Sequence, residues 1–210
     1  MRINKRYIVA ILIILAVIII DQLINIEIKT NFMLHEDYRV AGDWFHLLFT
    51  ENRGMAFGMQ FVGTMFLALF RVVAIGFFCT ILNKIIRQKA PYGLIGCVAM
   101  IIAGAAGNII DNLFYGLIFT ESTPYSLAQL VPFGEGYGAF LSGKVVDMFY
   151  FPLIDTILPD WVPVWGGQPF VFFRPIFNLA DSAICVGVFL LLIFYRHTLT
   201  VSLSKDEEKH

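Results

Sequence analysis

The chain has 210 residues, of which 58% are hydrophobic and only 15% charged, with a mean hydropathy of +0.75. That is more apolar than a soluble domain of this length, and a formal net charge of −1 offers nothing to a nucleic-acid backbone. The expectation is one polytopic membrane domain covering residues 1–210.

The chain opens with MRINKRYIVAILIILAVIII, a basic start and an apolar core like those of a secretion signal. No small-x-small cleavage site follows, and the run continues into Asp21-Gln22, so it reads as a retained first span over 7–28. Residues 38–61, YRVAGDWFHLLFTENRGMAFGMQF, contain strand-like aromatic stretches broken by Gly42, Asn52-Arg53-Gly54 and Gly58. The second and third spans are expected over 61–86 and 93–119. The third carries Gly96, Ala99, Ala103, Gly104 and Gly107, small enough for neighbouring helices to approach closely. Residues 120–179 hold most of the prolines and the aromatic stretches FYFP, LPDWVPVW and FVFFRP, suited to a membrane–water boundary. A fourth span is expected over 180–197. The fold class is therefore four transmembrane helices with a small extracytoplasmic β element and an aromatic-rich outer loop or short helix.

Basic residues orient the spans. Arg2, Lys5 and Arg6 precede the first, Lys84, Arg87 and Lys89 join the second to the third, and Arg196, Lys205 and Lys209 follow the fourth. These short segments belong on the cytoplasmic side, with both termini. The longer segments 29–60 and 120–179 carry only Lys29, Arg39, Arg53, Lys144 and Arg174 and belong outside.

On this topology the embedded polar residues share one depth. Asp21 stands about 21 Å up the first helix from Tyr7, and Asn108 and Asp111 about 22–27 Å up the third from Gly93, at 1.5 Å per residue. Asn178 and Asp181 open the fourth helix from the outside, and Asn52 and Asp147 lie in the outer segments. Each has a simpler reading alone. Asn178 and Asp181 fit a helix cap and first turn, Asn108 and Asp111 fit interhelical hydrogen bonding, Asp147 fits a solvated loop and Asp21 a helix end at the interface. None of these accounts for the shared depth, and ionisable groups in spans are costly enough to point to function.

Two carboxylates at such a boundary share a proton when close, so that one takes a proton from water while the other gives one to a carbonyl oxygen. That is peptide hydrolysis without metal, serine or cysteine. No metal-ligand cluster, HExxH, GxSxG or P-loop is present. His35, His46, His197 and His210 are scattered and read as non-catalytic. Cys79, Cys97 and Cys185 lie in apolar runs and read as small packing residues. The rival reading is a small proton-coupled transporter. The clustering at one depth, with almost no polar relay toward the cytoplasm and no inverted repeat, argues against it.

The motifs in order are DQ at 21–22, TENRGMAFG at 50–58, GNIIDN at 107–112, VVDMFYF at 145–151 and FNLADSAI at 177–184. Along almost its whole length the chain thereby resembles lipoprotein signal peptidase (signal peptidase II), in its Bacteroidetes form. The resemblance implies an aspartic endopeptidase of the bacterial inner membrane, a monomer without cofactor or metal. The activity it implies is cleavage before the diacylglyceryl-modified cysteine of prolipoproteins at the lipid boundary. It implies Asp147 and Asp181 as the catalytic pair, with Asp21, Asn52, Gly54, Asn108, Asp111, Asn178 and Ala180 shaping the site. Two positions depart from the family's pattern: Asn25 replaces a lysine four residues after the first aspartate, and Asn112 replaces an arginine. Arg53 and Arg71 are the candidate substitutes for the missing charge.

Overall fold

The computed structural model describes residues 4–52 and 63–204. Among the described residues four helices are long and apolar enough to cross a membrane: Lys5–Asn31, Ala68–Arg87 within the helix Gly63–Arg87, Tyr92–Ile118 and Leu179–Ser202. The Asn4 side chain caps the first by accepting the Arg6 N–H at 3.0 Å. Leu12, Leu15, Ile19 and Leu23 on that helix point outward, as do Leu69, Val72 and Val73 on the second and Phe189 and Phe194 on the fourth. An outward apolar surface on three helices is what lipid solvates.

The third helix is the buried one, and its small residues explain why. A Cβ on Gly104 would stand 2.2 Å from the Ala180 carbonyl oxygen, and one on Gly107 would stand 2.7 Å from Asp21 Oδ2. Ala99 and Ala103 are fully buried. Gly96 meets only Ile13, at an ordinary 3.6 Å, so close packing does not require glycine there. Near its end the third helix widens into a π turn over Asp111–Tyr115 and closes with Gly116–Ile118. Such turns re-aim side chains within a helix, and this one buries Asp111, Asn112 and Tyr115 together.

A four-stranded antiparallel sheet covers the end of the bundle where the first and third helices finish and the fourth begins. It consists of β1 (Asp37–Ala41), β2 (Phe45–Asn52), β3 (Val145–Tyr150) and β6 (Ile176–Phe177), in that order. A separate antiparallel pair is formed by β4 (Ile154–Ile157) and β5 (Pro169–Phe172). The strand-like reading of the first outer segment therefore holds up to Asn52, and residues 53–61 of that segment lie outside the described residues. The second segment supplies strands and a looped aromatic stretch, with no helix among its described residues between 120 and 178. Asp147 is not a solvated loop residue: it lies in β3 opposite Thr50 and is 4% exposed. Nor does Asp21 mark the end of the first helix, which runs ten residues further and buries it completely.

Ile28, Phe49, Tyr115, Phe119, Val146 and Met148 form the core beneath the sheet. At the opposite end lie Lys5, Arg6, Lys84, Arg87, Lys89 and Arg196, where Arg6 Nε donates to the Ala90 carbonyl at 3.1 Å.

Candidate active site

Asn178 immediately precedes the fourth helix and serves as its cap, its Oδ1 accepting the Asp181 N–H at 2.9 Å. The capping interaction uses half of the amide. The other half, Nδ2, donates to Asn108 Oδ1 at 2.9 Å and to the Val146 carbonyl at 3.1 Å. Asn108 Nδ2 in turn donates to Asp181 Oδ1 at 2.7 Å. A single buried side chain thus links the fourth helix, the third helix and β3, and brings the backbone beside Asp147 to the helix turn that carries Asp181.

Two more carboxylates hold the backbone from behind. Asp21 Oδ1 accepts the Ala180 N–H at 2.8 Å, and Asp111 Oδ2 accepts the Val146 N–H at 3.2 Å. The first therefore grips the amide one residue before Asp181, and the second the amide one residue before Asp147. Gln22 Nε2 donates to both, to Asp111 Oδ1 at 2.8 Å and Asp21 Oδ2 at 3.2 Å. Asn25 Nδ2 also donates to both, at 3.1 Å to Asp111 Oδ2 and 3.3 Å to Asp21 Oδ2. Gln22 is a further site residue that the sequence reading left aside, although it stands next to Asp21 in the DQ motif.

Asp147 carries a proton more tightly than an ordinary carboxyl group. Burial pushes its pKa up to about 8, helped by the neighbouring charges of Asp181 and Asp111, while Arg71 and a hydrogen bond with Asn52 oppose the shift. Its Oδ1 is buried and has no hydrogen-bond partner among the described residues. The structure therefore gathers Asp21, Asn52, Asn108, Asp111, Asp147, Asn178, Ala180 and Asp181 into one site. Gly54 and Arg53 lie outside the described residues.

The sequence profile of Signal peptidase (SPase) II matches residues 13–196. The chain belongs to the signal peptidase II family. It is 47% identical over 209 residues to the lipoprotein signal peptidase of Porphyromonas gingivalis, covering 99% of this chain and 90% of that one. Identity to the lipoprotein signal peptidase of Amoebophilus asiaticus is 33% over 199 residues, covering 92% and 80%. A solved bacterial membrane enzyme shares the fold with a TM-score of 0.58 at 22% identity, covering 88% of this chain and 90% of that one. Membership of an aspartic peptidase family sets the transporter reading aside.

Within this chain the two departures have different outcomes. At Asn25 a neutral amide bridges Asp21 and Asp111. Lys29, one turn on, pairs instead with Glu51 and donates to Ser122 Oγ at 2.9 Å. At Asn112 a cation arrives from another helix, as Arg71 Nη1 donates to Asn112 Oδ1 at 2.8 Å. Asn112 Nδ2 passes the link on to the Gly143 carbonyl at 2.8 Å.

Lys29 belongs to a buried ionic cluster that sequence reasoning missed. Glu51 Oε1 accepts from Lys29 and, at 2.7 Å, from Ser122 Oγ. Glu51 Oε2 lies 3.1 Å from Lys144 Nζ, too poorly aligned for a hydrogen bond but close enough for an ion pair. Tyr137 presents its ring to both cations, at 5.2 Å from Lys29 and 5.1 Å from Lys144. Burial works against the Glu51 charge, but Lys29, Ser122 and Lys144 outweigh it and hold its carboxyl below the usual range. The one available signal was a lysine in the last turn of a span, which needs an anion nearby.

Among the described residues no group of three or more His, Cys, Asp and Glu side chains is placed to hold a metal. Cys97 is a buried packing residue as expected, whereas Cys79 and Cys185 are exposed. His46 Nδ1 lies 2.8 Å from Asp37 Oδ1 at the far edge of the sheet.

Proposed function

We propose that Asp147 and Asp181 are the catalytic pair of this peptidase. The bond cut is the one before the diacylglyceryl-modified cysteine of a prolipoprotein. The observation that carries this reading is the Asn178 side chain, which binds the Asp181 amide, Asn108 and the carbonyl preceding Asp147 at once. Asp181, as base, takes a proton from a water whose oxygen adds to the scissile carbonyl carbon. Asp147, held protonated by burial, gives its proton to the carbonyl oxygen as the C=O bond opens. Collapse of the tetrahedral intermediate breaks the C–N bond, and the leaving amine takes the proton from Asp181 while Asp147 recovers its own. Asp21 and Asp111 position the pair through the Ala180 and Val146 amides, and Asn52 and Asn108 complete the described part of the site.

The basic end of the bundle lies in the cytoplasm and the sheet end at the outer face of the inner membrane. That places the pair where the acyl chains of a lipidated substrate remain in the bilayer while its peptide bond reaches the interface. The enzyme works as a monomer, without metal, cofactor or nucleic acid.

The test is a gel-shift assay with a diacylglyceryl-modified prolipoprotein and the purified chain, followed by mass analysis of the product. The expected product begins with the lipid-bearing cysteine, and its yield is unchanged by EDTA. No cleavage by folded protein, or chelator-sensitive cleavage restored by zinc, would overturn the reading.

A further inference from the structure

Beside the site, an apolar cavity of about 280 Å³ opens between the second, third and fourth helices. Ala74, Ile101, Ala105, Ile184 and Val188 are among its walls, and Arg71 is its single charged lining residue among the described residues. The cavity and the candidate site share helix faces. Ile184 stands three residues after Asp181 and Ala105 three before Asn108, so each shares a helix face with a site residue. Arg71 stands at the junction, bound on one side to Asn112, with its charge felt by Asp147.

A cation bordering an apolar cavity within a membrane span is costly unless something accepts its hydrogen bonds. A guanidinium has five donors, and the Asn112 contact engages one nitrogen. The lipid group of the substrate supplies matching chemistry: an ester carbonyl, acceptor only, followed by an alkyl chain. We propose that Arg71 and this cavity bind one acyl ester of the substrate's diacylglyceryl group. The guanidinium donates to the ester carbonyl oxygen and the chain lies between the three helices. This rests on the reading of the chain as a prolipoprotein peptidase, and it names the part of the site that recognises the lipid. The relocated arginine then has two tasks, replacing the charge missing at Asn112 and reading the ester.

Two synthetic precursors with the same peptide separate these tasks, one bearing the diacyl ester and one the dialkyl ether, which lacks the carbonyl. The wild-type enzyme should cleave the ester with a kcat/KM about tenfold higher, the scale of a hydrogen bond to a charged group. In Arg71→Gln that ratio should approach one, whatever the overall rate, because effects on the catalytic pair act equally on both precursors. Arg71→Lys should keep part of the ratio, and the wild-type comparison stands even where a variant fails to fold. Ala74→Phe, which fills the cavity, should remove the preference for hexadecanoyl over octanoyl chains. Equal wild-type rates for ester and ether, a ratio unchanged in Arg71→Gln, or a chain-length preference unchanged in Ala74→Phe would each overturn the assignment. The last is the outcome expected if a bilayer lipid fills the cavity. Wild-type protein that cleaves neither precursor would instead overturn the peptidase reading itself.

Discussion

The guanidinium of Arg71, on the second helix, donates to the side-chain oxygen of Asn112, on the third, at 2.8 Å. Where the family's pattern has a cation on the third helix, this chain supplies one from across the helix interface. Restoring the family's residue should therefore do harm. Asn112→Arg would place two guanidinium groups together at a position that is 1% exposed and remove the acceptor that Arg71 now uses. Melting in detergent should drop by several degrees and cleavage by more than about tenfold, a barrier change above ~1.4 kcal/mol. Arg71→Gln in that background should recover stability. A stable, active Asn112→Arg single variant would show that the two positions do not exchange their charge.

The catalytic assignment of Asp147 and Asp181 predicts loss of cleavage in both Asp147→Asn and Asp181→Asn, with the double variant no worse than either single one, since paired groups act as a unit. The pH dependence has a definite sign. In the unfolded chain Asp147 ionises near 3.8, whereas in the folded protein it keeps its proton to about 8. Between those values the folded state holds the extra proton, so stability from this group is complete at low pH and falls as pH rises through the window. Melting temperatures measured from pH 4 to 8 should decline less in Asp147→Asn than in the wild type. Cleavage should fall above about pH 8, where the proton needed by the carbonyl oxygen is gone. An unchanged melting profile in Asp147→Asn would reject the bound proton.

The Lys29–Glu51–Lys144 cluster ties the end of the first helix to β2 and to the residue preceding β3, and so fixes the strand that carries Asp147. Glu51→Gln leaves Lys29 buried without its anion, a loss of the kind that costs about 3–5 kcal/mol. The double variant Lys29→Met/Glu51→Met removes both charges, and Lys144 keeps Glu121 at 3.1 Å. It should melt closer to the wild type than Glu51→Gln does. The pH sign here is opposite to that of Asp147. Glu51 has a lowered pKa, so its contribution is present above its unfolded value near 4.5 and lost as pH falls below that range. A double variant less stable than Glu51→Gln would mean that the cluster contributes net binding energy and not only mutual compensation.

The spans were legible because a run of about 20 apolar residues has few other uses, and the common depth of the polar residues followed from helical rise alone. The cap at Asn178 was legible too, since Asn178 and Asp181 lie one turn apart. Asp147 was harder to place in a strand. VVDMFYF has no polar–apolar alternation, because both faces of β3 are covered near Asp147, and period-two reasoning has nothing to detect there. The π turn at Asp111 has no sequence signature, yet it helps bury Asp111 and Asn112 together. The partners of Lys29 were hidden for another reason: Glu51 and Ser122 are 22 and 93 residues away, joined only once the sheet has its register. Arg71 was visible as a candidate, but only the packing of the second helix against the third decides where its charge goes.

Asp21 tests whether the carboxylates behind the site act as positioning groups. Its Oδ1 accepts the Ala180 N–H at 2.8 Å, and its Oδ2 accepts from Gln22 and Asn25. Asp21→Ala would leave the Ala180 N–H buried without an acceptor, at a cost of about 1–3 kcal/mol, and would loosen the helix turn that holds Asp181. Asp21→Asn keeps an oxygen for Ala180 but turns an NH₂ group toward two other amide donors. Asn25 Oδ1, which has no partner among the described residues, would relieve that clash if the Asn25 amide turned over, at the expense of its bond to Asp111. Asp21→Asn should therefore melt between the wild type and Asp21→Ala. Because the effect reaches the chemistry through Asp181, kcat should fall further than KM rises in both variants, with Asp21→Asn the more active. Wild-type kcat in a folded Asp21→Ala would mean that the Ala180 contact stabilises the helix end without aiming Asp181.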